Sequence, residues 1–410
     1  MDSIHIQKDS PGITDVPNFE AAGIACDIRG KGDDRRDLAL IYCRDVCTAA
    51  GVFTQNDMKA APVQLCQHRL EGSNSFHGAL INSGNANAAT GHQGLKDAYT
   101  MADEAARGLG CAPEALFVCS TGRIGRHLPM PRIQKGIAEL CQSKGALPSQ
   151  GEAAAQAILT SDTRPKTVTL RFKAPSGEPL TLAGMAKGAG MIQPNMATML
   201  AFLVTDVQIN STLLHKLLTS AVGTSFNRIS IDGDMSTNDT VLLLANGYSK
   251  VAIQNDQSPL FHTFSEVLER ATRLLAEKIV ADGERTSKVV ELHIKGAPSK
   301  AAAEKTARAI GNSLLVKTSW YGNDPNWGRI VHAAGYASVG LREDRIDLFY
   351  EDIPVLQKGD LLPQNERHWR RIVSGKRFTI TLDLHLGDDT YWLLTTDLSE
   401  GYVNFNKTET

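Results

Sequence analysis

The chain lacks any long apolar run. No stretch approaches the ~18 uninterrupted apolar residues that a membrane span needs, so no span is expected. It also lacks an excess of either charge. Lys and Arg number 43 against 45 Asp and Glu, a formal net charge of −2. That balance gives no electrostatic ground for binding nucleic acid or an anionic membrane. No basic tract with interleaved aromatics and no RNP-like stretch is present. Glycine-rich nucleotide motifs are missing too. Neither G-x-G-x-x-G nor G-x-x-x-x-G-K-[ST] occurs in its required context, so NAD and ATP are not implied, and no cofactor is expected. The opening MDSIHIQKDSPG has no apolar core of the kind a signal peptide carries, so a cytoplasmic location is expected.

Cysteine is present without a pattern. Cys26, Cys43, Cys47, Cys66, Cys111, Cys119 and Cys141 form no C-x-x-C pair and match neither a zinc site nor a disulfide framework. Reduced, mostly buried thiols are the expectation. The acidic stretch Asp232-Gly233-Asp234 to Asn238-Asp239 lacks EF-hand spacing and its closing Glu, so no metal is expected.

A chain of 410 residues can bury a large core. Its pattern is mixed α and β. Leu38–Cys43, Ala79–Ile81 and Leu116–Cys119 read as strands, and Met199–Val204 reads as a buried strand. Leu95–Arg107 has helical spacing and ends at Gly108 and Gly110, which suit a C-terminal cap. Phe264, Val267, Leu268, Ala271, Leu274, Leu275 and Ile279 predict an amphipathic helix. Phe378 to Leu386 alternates with polar residues and predicts a half-exposed antiparallel strand. Ser143–Gly151 reads as a loop before a helix over Glu152–Leu159. These elements support an α/β or α+β class.

The most informative segment is Lys187 to Val204, KGAGMIQPNMATMLAFLV. Thr198 follows small Ala197, and Gly184, Gly188, Gly190 and Pro194 lead up to it. Glycines open backbone conformations closed to other residues, and proline fixes φ. A mid-chain threonine hydroxyl is a poor nucleophile. As the first residue of a chain it carries its own base, because an α-amine titrates near ~7.7–8.0. N-terminal threonine is a known activated-nucleophile arrangement.

KGAGMIQPNMATML resembles the self-cleavage segment of the ornithine acetyltransferase family, the bifunctional glutamate N-acetyltransferases. The resemblance runs from about Val16 to the C-terminus through DLALIYC, AAGVFTQN, AAPV, LINSGNANAATG, CSTGRIG, DGDMSTNDT, DGERTSK, GNDPNWGRI and YVNFN, in family order. It implies helices packed around central β-sheets, with the logic of an N-terminal-nucleophile enzyme. It implies self-cleavage between Ala197 and Thr198 into an α chain, 1–197, and a β chain, 198–410, which stay together as one interwoven unit, an α2β2 assembly being typical. The implied reaction moves an acetyl group from N2-acetylornithine to glutamate through an acetyl-threonyl enzyme, in arginine biosynthesis. Whether acetyl-coenzyme A is also a donor stays open. A hydrolase of related fold, an N-terminal-nucleophile aminopeptidase or amidohydrolase, is the alternative.

Carried over by position, Thr121 and Gly122 form the oxyanion hole. Thr163, Lys187, Glu284, Asn406 and Thr410 contact substrate, with Lys187 facing its α-carboxylate and Glu284 its far end. Two residues depart from the family pattern, Arg123 and Arg285. Both add guanidinium groups near presumed site loops. Asn82 to Asn87 reads as a structural turn cluster. Asp324, Asn326 and Arg329 are candidates for the site's rim.

Overall fold

The computed structural model describes residues 4–193 and 199–407. Ala197, Thr198 and Thr410 therefore lie outside the described residues. Fifteen of the strands form two sheets. The larger contains His5–Ile6 (β1), Phe19–Ile24 (β2), Leu38–Phe53 (β3), Phe76–Asn82 (β4), Leu116–Ser120 (β5), Lys166–Lys173 (β6), Pro179–Lys187 (β7) and Leu200–Thr205 (β8). A two-stranded ribbon pairs Gln208–Ile209 (β9) with Ala252–Ile253 (β11), and Thr240–Ala245 (β10) completes the large sheet. Its order is β1-β6-β7-β8-β10-β3-β4-β5, with β2 on the side of β3.

The uninterrupted apolar run of β8 has a simple cause. Side chains alternate across a strand. Leu200, Phe202 and Val204 enter one core, with Leu242 and Leu244 of β10. Ala201 and Leu203 enter a second core, with Val241 and Leu243. Helices cover both faces. Gly91–Leu109 and Met130–Ser143 lie over the first core, Ser211–Thr224 and Pro259–Val280 over the second. A strand covered on both sides shows no polar alternation.

The smaller sheet uses Val289–Ala297 (β12), Asp347–Tyr350 (β13), Ile353–Gln357 (β14), Asp360–Leu361 (β15), Arg377–Asp383 (β16) and Asp389–Thr396 (β17). Its order is β15-β14-β13-β16-β12-β17. The expected alternating strand is β16, with Phe378, Ile380 and Leu382 buried. It is antiparallel to β13 but parallel to β12, so the expected purely antiparallel setting is corrected. β17 joins the two sheets' cores: Leu393 belongs to the small sheet's core and Leu394 to the second core of the large sheet.

Other expectations were short rather than misplaced. The strand beginning at Leu38 runs on to Phe53, because its second half pairs with β10 while its first half pairs with β2 and β4. The helix expected from Glu152 starts at Pro148, where proline occupies a first-turn position that needs no N–H. Gly110 caps Gly91–Leu109 with φ 72°, as expected of a C-terminal glycine.

Residues on both sides of position 198 share the large sheet. β7 and β8 pair antiparallel, Lys187 opposite Leu200, and β8 and β10 pair parallel, Leu200 opposite Thr240. This register brings the end of β7 and the starts of β8 and β10 to one end of the sheet. The residue after β5, Thr121, reaches the same place through Thr121 N–H to Asn82 O, 3.0 Å.

Candidate functional site

A cavity of about 330 Å³ opens at that end of the large sheet. Its wall includes Thr121, Gly122, Lys187, Met199, Glu284 and Asn406. Five of these were expected from the sequence, and the sixth is the residue bonded to Thr198.

The turn cluster Asn82 to Asn87 positions Thr121 and Gly122. Ser120 Oγ donates to Asn82 Oδ1 at 2.5 Å, and Asn82 Nδ2 donates to Asn85 O at 2.8 Å. Asn238 clamps the same turn by donating to Ala86 O at 2.6 Å and Ser120 O at 2.8 Å. Gly122 has φ 133°, and a Cβ there would stand 2.3 Å from the Gly84 carbonyl carbon. Only glycine fits both the conformation and the close approach.

Lys187 is buried and donates to Thr160 Oγ1 at 2.6 Å and Thr121 Oγ1 at 3.4 Å. Burial pulls its pKa down, while Asp162, 3.8 Å away, works against that. Asp162 is the hub beneath it. Burial disfavours its charge, yet Lys187 and Lys166 hold its carboxyl well below the usual range. It accepts from Lys166 Nζ at 2.6 Å and from the Gly188 N–H at 2.7 Å. Lys166 Nζ also meets Asp282 at 2.6 Å. Two lysines and two aspartates thus offset one another beneath the cavity floor, as buried charges must.

Glu284 also lines the cavity. Its backbone N–H donates to Ala189 O at 2.8 Å, and Asn406 Nδ2 donates to its Oε2 at 3.0 Å. A Cβ on Gly190 would stand 2.3 Å from Glu284 Oε1, so glycine is what lets this loop pass the carboxylate. Asp232 fastens the loop ahead of position 194. It accepts from the N–H groups of Met191 and Ile192 at 2.6 and 2.7 Å. Tyr402 donates to the same carboxylate at 3.3 Å, and burial raises the Tyr402 pKa.

Several expectations are relocated. Thr163 is exposed and does not line the cavity, because its hydroxyl and N–H are bound by the Asp282 carboxylate. Thr160, three residues earlier, stands on the wall instead. Arg123 lines a neighbouring cavity that shares Arg29 and Gly84 with the first. Arg285 stacks its guanidinium over Phe405, 5.0 Å from the ring centre, off the cavity wall. Asp324, Asn326 and Arg329 are not at the rim. Asn326 caps the helix Trp327–Tyr336, and Arg329 donates to Leu315 O at 2.8 Å. Sequence reasoning missed Thr160, Asp162 and Tyr402, and read Asp232 and Asp239 only as parts of a rejected cation motif. Their only sequence signal was proximity to the motifs that matched.

Chemically, the wall carries the cations Lys187, Arg29 and Arg35 and the carboxylates Asp232, Asp234, Asp239 and Glu284. That suits a small molecule bearing both charges. Among the described residues no group of three or more His, Cys, Asp or Glu could hold a metal ion, and no helix is long and apolar enough to cross a membrane.

The ArgJ family profile matches residues 20–408. The arginine biosynthesis bifunctional protein ArgJ of Symbiobacterium thermophilum is 41% identical over 395 residues, covering 96% of this chain and 97% of that protein. The protein of the same name from Geobacter sulfurreducens is 43% identical over 392 residues, covering 95% and 98%. A solved structure of ornithine acetyltransferase with ornithine from Mycobacterium tuberculosis matches at 37% identity over 48% of this chain and all of that one, with a TM-score of 0.44.

Proposed function

The chain belongs to the ArgJ family, and from that premise we propose how its cavity performs acetyl transfer in arginine biosynthesis. It is an acyltransferase acting on small molecules. In our reading the chain cuts itself between Ala197 and Thr198, and the α-amine of Thr198 becomes the base for its hydroxyl. N2-acetylornithine binds with its α-carboxylate toward Lys187 and its side-chain ammonium toward Glu284. The Thr198 oxygen attacks the acetyl carbon, and the developing oxyanion meets Thr121 and Gly122. Ornithine leaves, and the amine of glutamate then takes the acetyl group from Thr198. No cofactor takes part. The two fragments stay together as an α2β2 assembly in the cytoplasm.

One observation carries this reading. The pairing of β7 with β8 brings Lys187 and Met199 to one end of the sheet, and Thr121 and Glu284 line the same cavity. The test is a denaturing gel of the purified protein beside a transfer assay. Two fragments of about half mass should appear, and N2-acetylornithine with labelled glutamate should yield acetylglutamate. A Thr198→Ala chain should stay whole and inactive. Acetate release without acetylglutamate would point to the aminopeptidase-like alternative, and a fully active intact chain would end the proposal.

A further inference from the structure

In the proposed cycle one cavity takes two substrates whose side chains carry opposite charge. N2-acetylornithine ends in an ammonium and glutamate in a carboxylate. Glu284 suits the first and repels the second, since like charges in a desolvated site oppose each other strongly. Glu284 is 8% exposed and is held in place, because Asn406 Nδ2 donates to its Oε2 at 3.0 Å. The acceptor's side-chain carboxylate therefore needs a different partner. Among the described lining residues the cations are Lys187, Arg29 and Arg35. Lys187 is taken by the α-carboxylate in both half-reactions.

Arg29 and Arg35 come from the loop before β3. The Arg29 stem crosses Gly84: a Cβ on Gly84, φ 90°, would stand 2.3 Å from Arg29 Cγ. Gly84 in turn backs Gly122, whose own Cβ would stand 2.3 Å from the Gly84 carbonyl carbon. Arg29 is thus packed against the turn that carries the oxyanion donors. Its Nη2 donates to Asp33 at 2.8 Å, and that aspartate side chain is 46% exposed. Exposed ion pairs contribute little, and a guanidinium has further N–H groups for a second carboxylate. Arg35 is fixed by donating to the Thr160 carbonyl, and the Thr160 hydroxyl accepts from Lys187 at 2.6 Å. Burial pulls the Arg35 pKa down, and the Arg29 charge beside it pulls the same way, opposed by Asp162, Asp33 and Asp37. Two neighbouring guanidiniums on a cavity wall suit an anion, since a carboxylate offers two oxygens to a planar fork.

We propose that Arg29, with Arg35 beside it, is the subsite for the side-chain carboxylate of the acceptor. Donor and acceptor then share Lys187 and the oxyanion turn, and their side chains part: the ammonium goes to Glu284 and the carboxylate to Arg29. The proposal rests on the reading that the cavity takes N2-acetylornithine and then glutamate. Arg29 contacts substrate in the second half-reaction only.

The experiment separates the two half-reactions. Exchange of labelled ornithine into N2-acetylornithine reads the first and involves no glutamate. Acetyl transfer to glutamate, and to glutamine, which has the same shape without the charge, reads the second. Wild type should prefer glutamate by ~10–100-fold in kcat/KM, the range for a hydrogen bond to a charged group. Arg29→Gln should lose most of that preference through a higher KM for glutamate, while ornithine exchange stays near the wild-type rate. Arg29→Lys keeps the charge and loses the fork, so its preference should fall between the two. Should Arg29→Gln not fold, wild type and Arg29→Lys decide. Wild type that takes glutamine as readily as glutamate, or Arg29 variants that keep the full preference, overturn the subsite alone. So does an Arg29 variant that loses exchange and both acceptors together, which is the mark of a structural role. Wild type with neither exchange nor acetylglutamate overturns the acetyl-transfer reading, and the subsite with it.

Discussion

At the cavity end of the large sheet, the side chains of Asp162, Lys166, Lys187 and Asp282 are buried together, and Glu284 and Asp239 stand beside them. The small sheet packs Val290, Leu292, Ile380 and Leu382 against the helices Lys300–Gly311 and Trp327–Tyr336, and keeps Glu291, Arg273 and Arg377 at its margin. Both regions are well packed, so packing alone does not separate them. What separates them is clustered, mutually paired buried charge. Charge taken out of water is costly unless it is paired, and it persists where it positions something. The large sheet keeps a cluster of two lysines and two aspartates beneath the cavity. The small sheet, largely apolar in its core, buries Lys317 singly against Thr395 and Thr396 and seats Lys288 and Asp397 beside the ends of β12 and β17.

The difference predicts how each region breaks. The largest effect should be on rate: Thr121→Ala should lower kcat by ~10²–10³-fold, the usual loss for one oxyanion donor, with the melting point little changed. Steady-state kinetics and a melt measured together check this. Next, Lys166→Met removes the cation between two buried carboxylates. It should destabilise by ~3–5 kcal/mol, as breaking one partner of a buried pair does. It should also reduce activity in the molecules that still fold, because Asp162 holds both Gly188 and Lys187. If Lys166→Met loses stability but keeps full activity, the buried network is scaffolding only. Leu382→Ala in the small sheet should cost ~2–5 kcal/mol by urea titration, while activity per folded molecule stays near wild type. A large drop in activity there would erase the contrast.

The smallest effect is a pH dependence at the small sheet's margin. The hydrogen bond to His293, with help from Arg273, holds Glu291 down at about 2, against the pull of partial burial. A depressed carboxylate contributes stability above its unfolded value of ~4.3, and that contribution disappears as pH falls through the folded value. Glu291→Gln should therefore lower the melting point modestly at neutral pH. The gap to wild type should close in acid. A gap that widens in acid would reverse the assignment.

The sequence made long periodic elements legible. Pro259–Val280 and β16 were plain from spacing, and β8 from its apolar run. Resemblance made Thr121, Gly122, Lys187, Glu284 and Asn406 legible as a set, and the cavity gathers them. What stayed hidden depends on register. Thr160 is on the wall and Thr163 is not, because Asp282 captures the Thr163 hydroxyl from 119 residues away. Asp239 read as part of an acidic loop, since nothing local says that β10 will align it with Met199. Arg285 looked like a site residue by position, but φ 55° and the Phe405 ring turn it elsewhere.

The most direct test of the account is the intact mass and first residue of the C-terminal fragment after brief incubation with N2-acetylornithine alone. The account predicts a fragment that begins at Thr198 and is heavier by one acetyl group, which glutamate then removes as acetylglutamate. A fragment beginning elsewhere, or acetylglutamate formed with no acetylated fragment at any time, would contradict it.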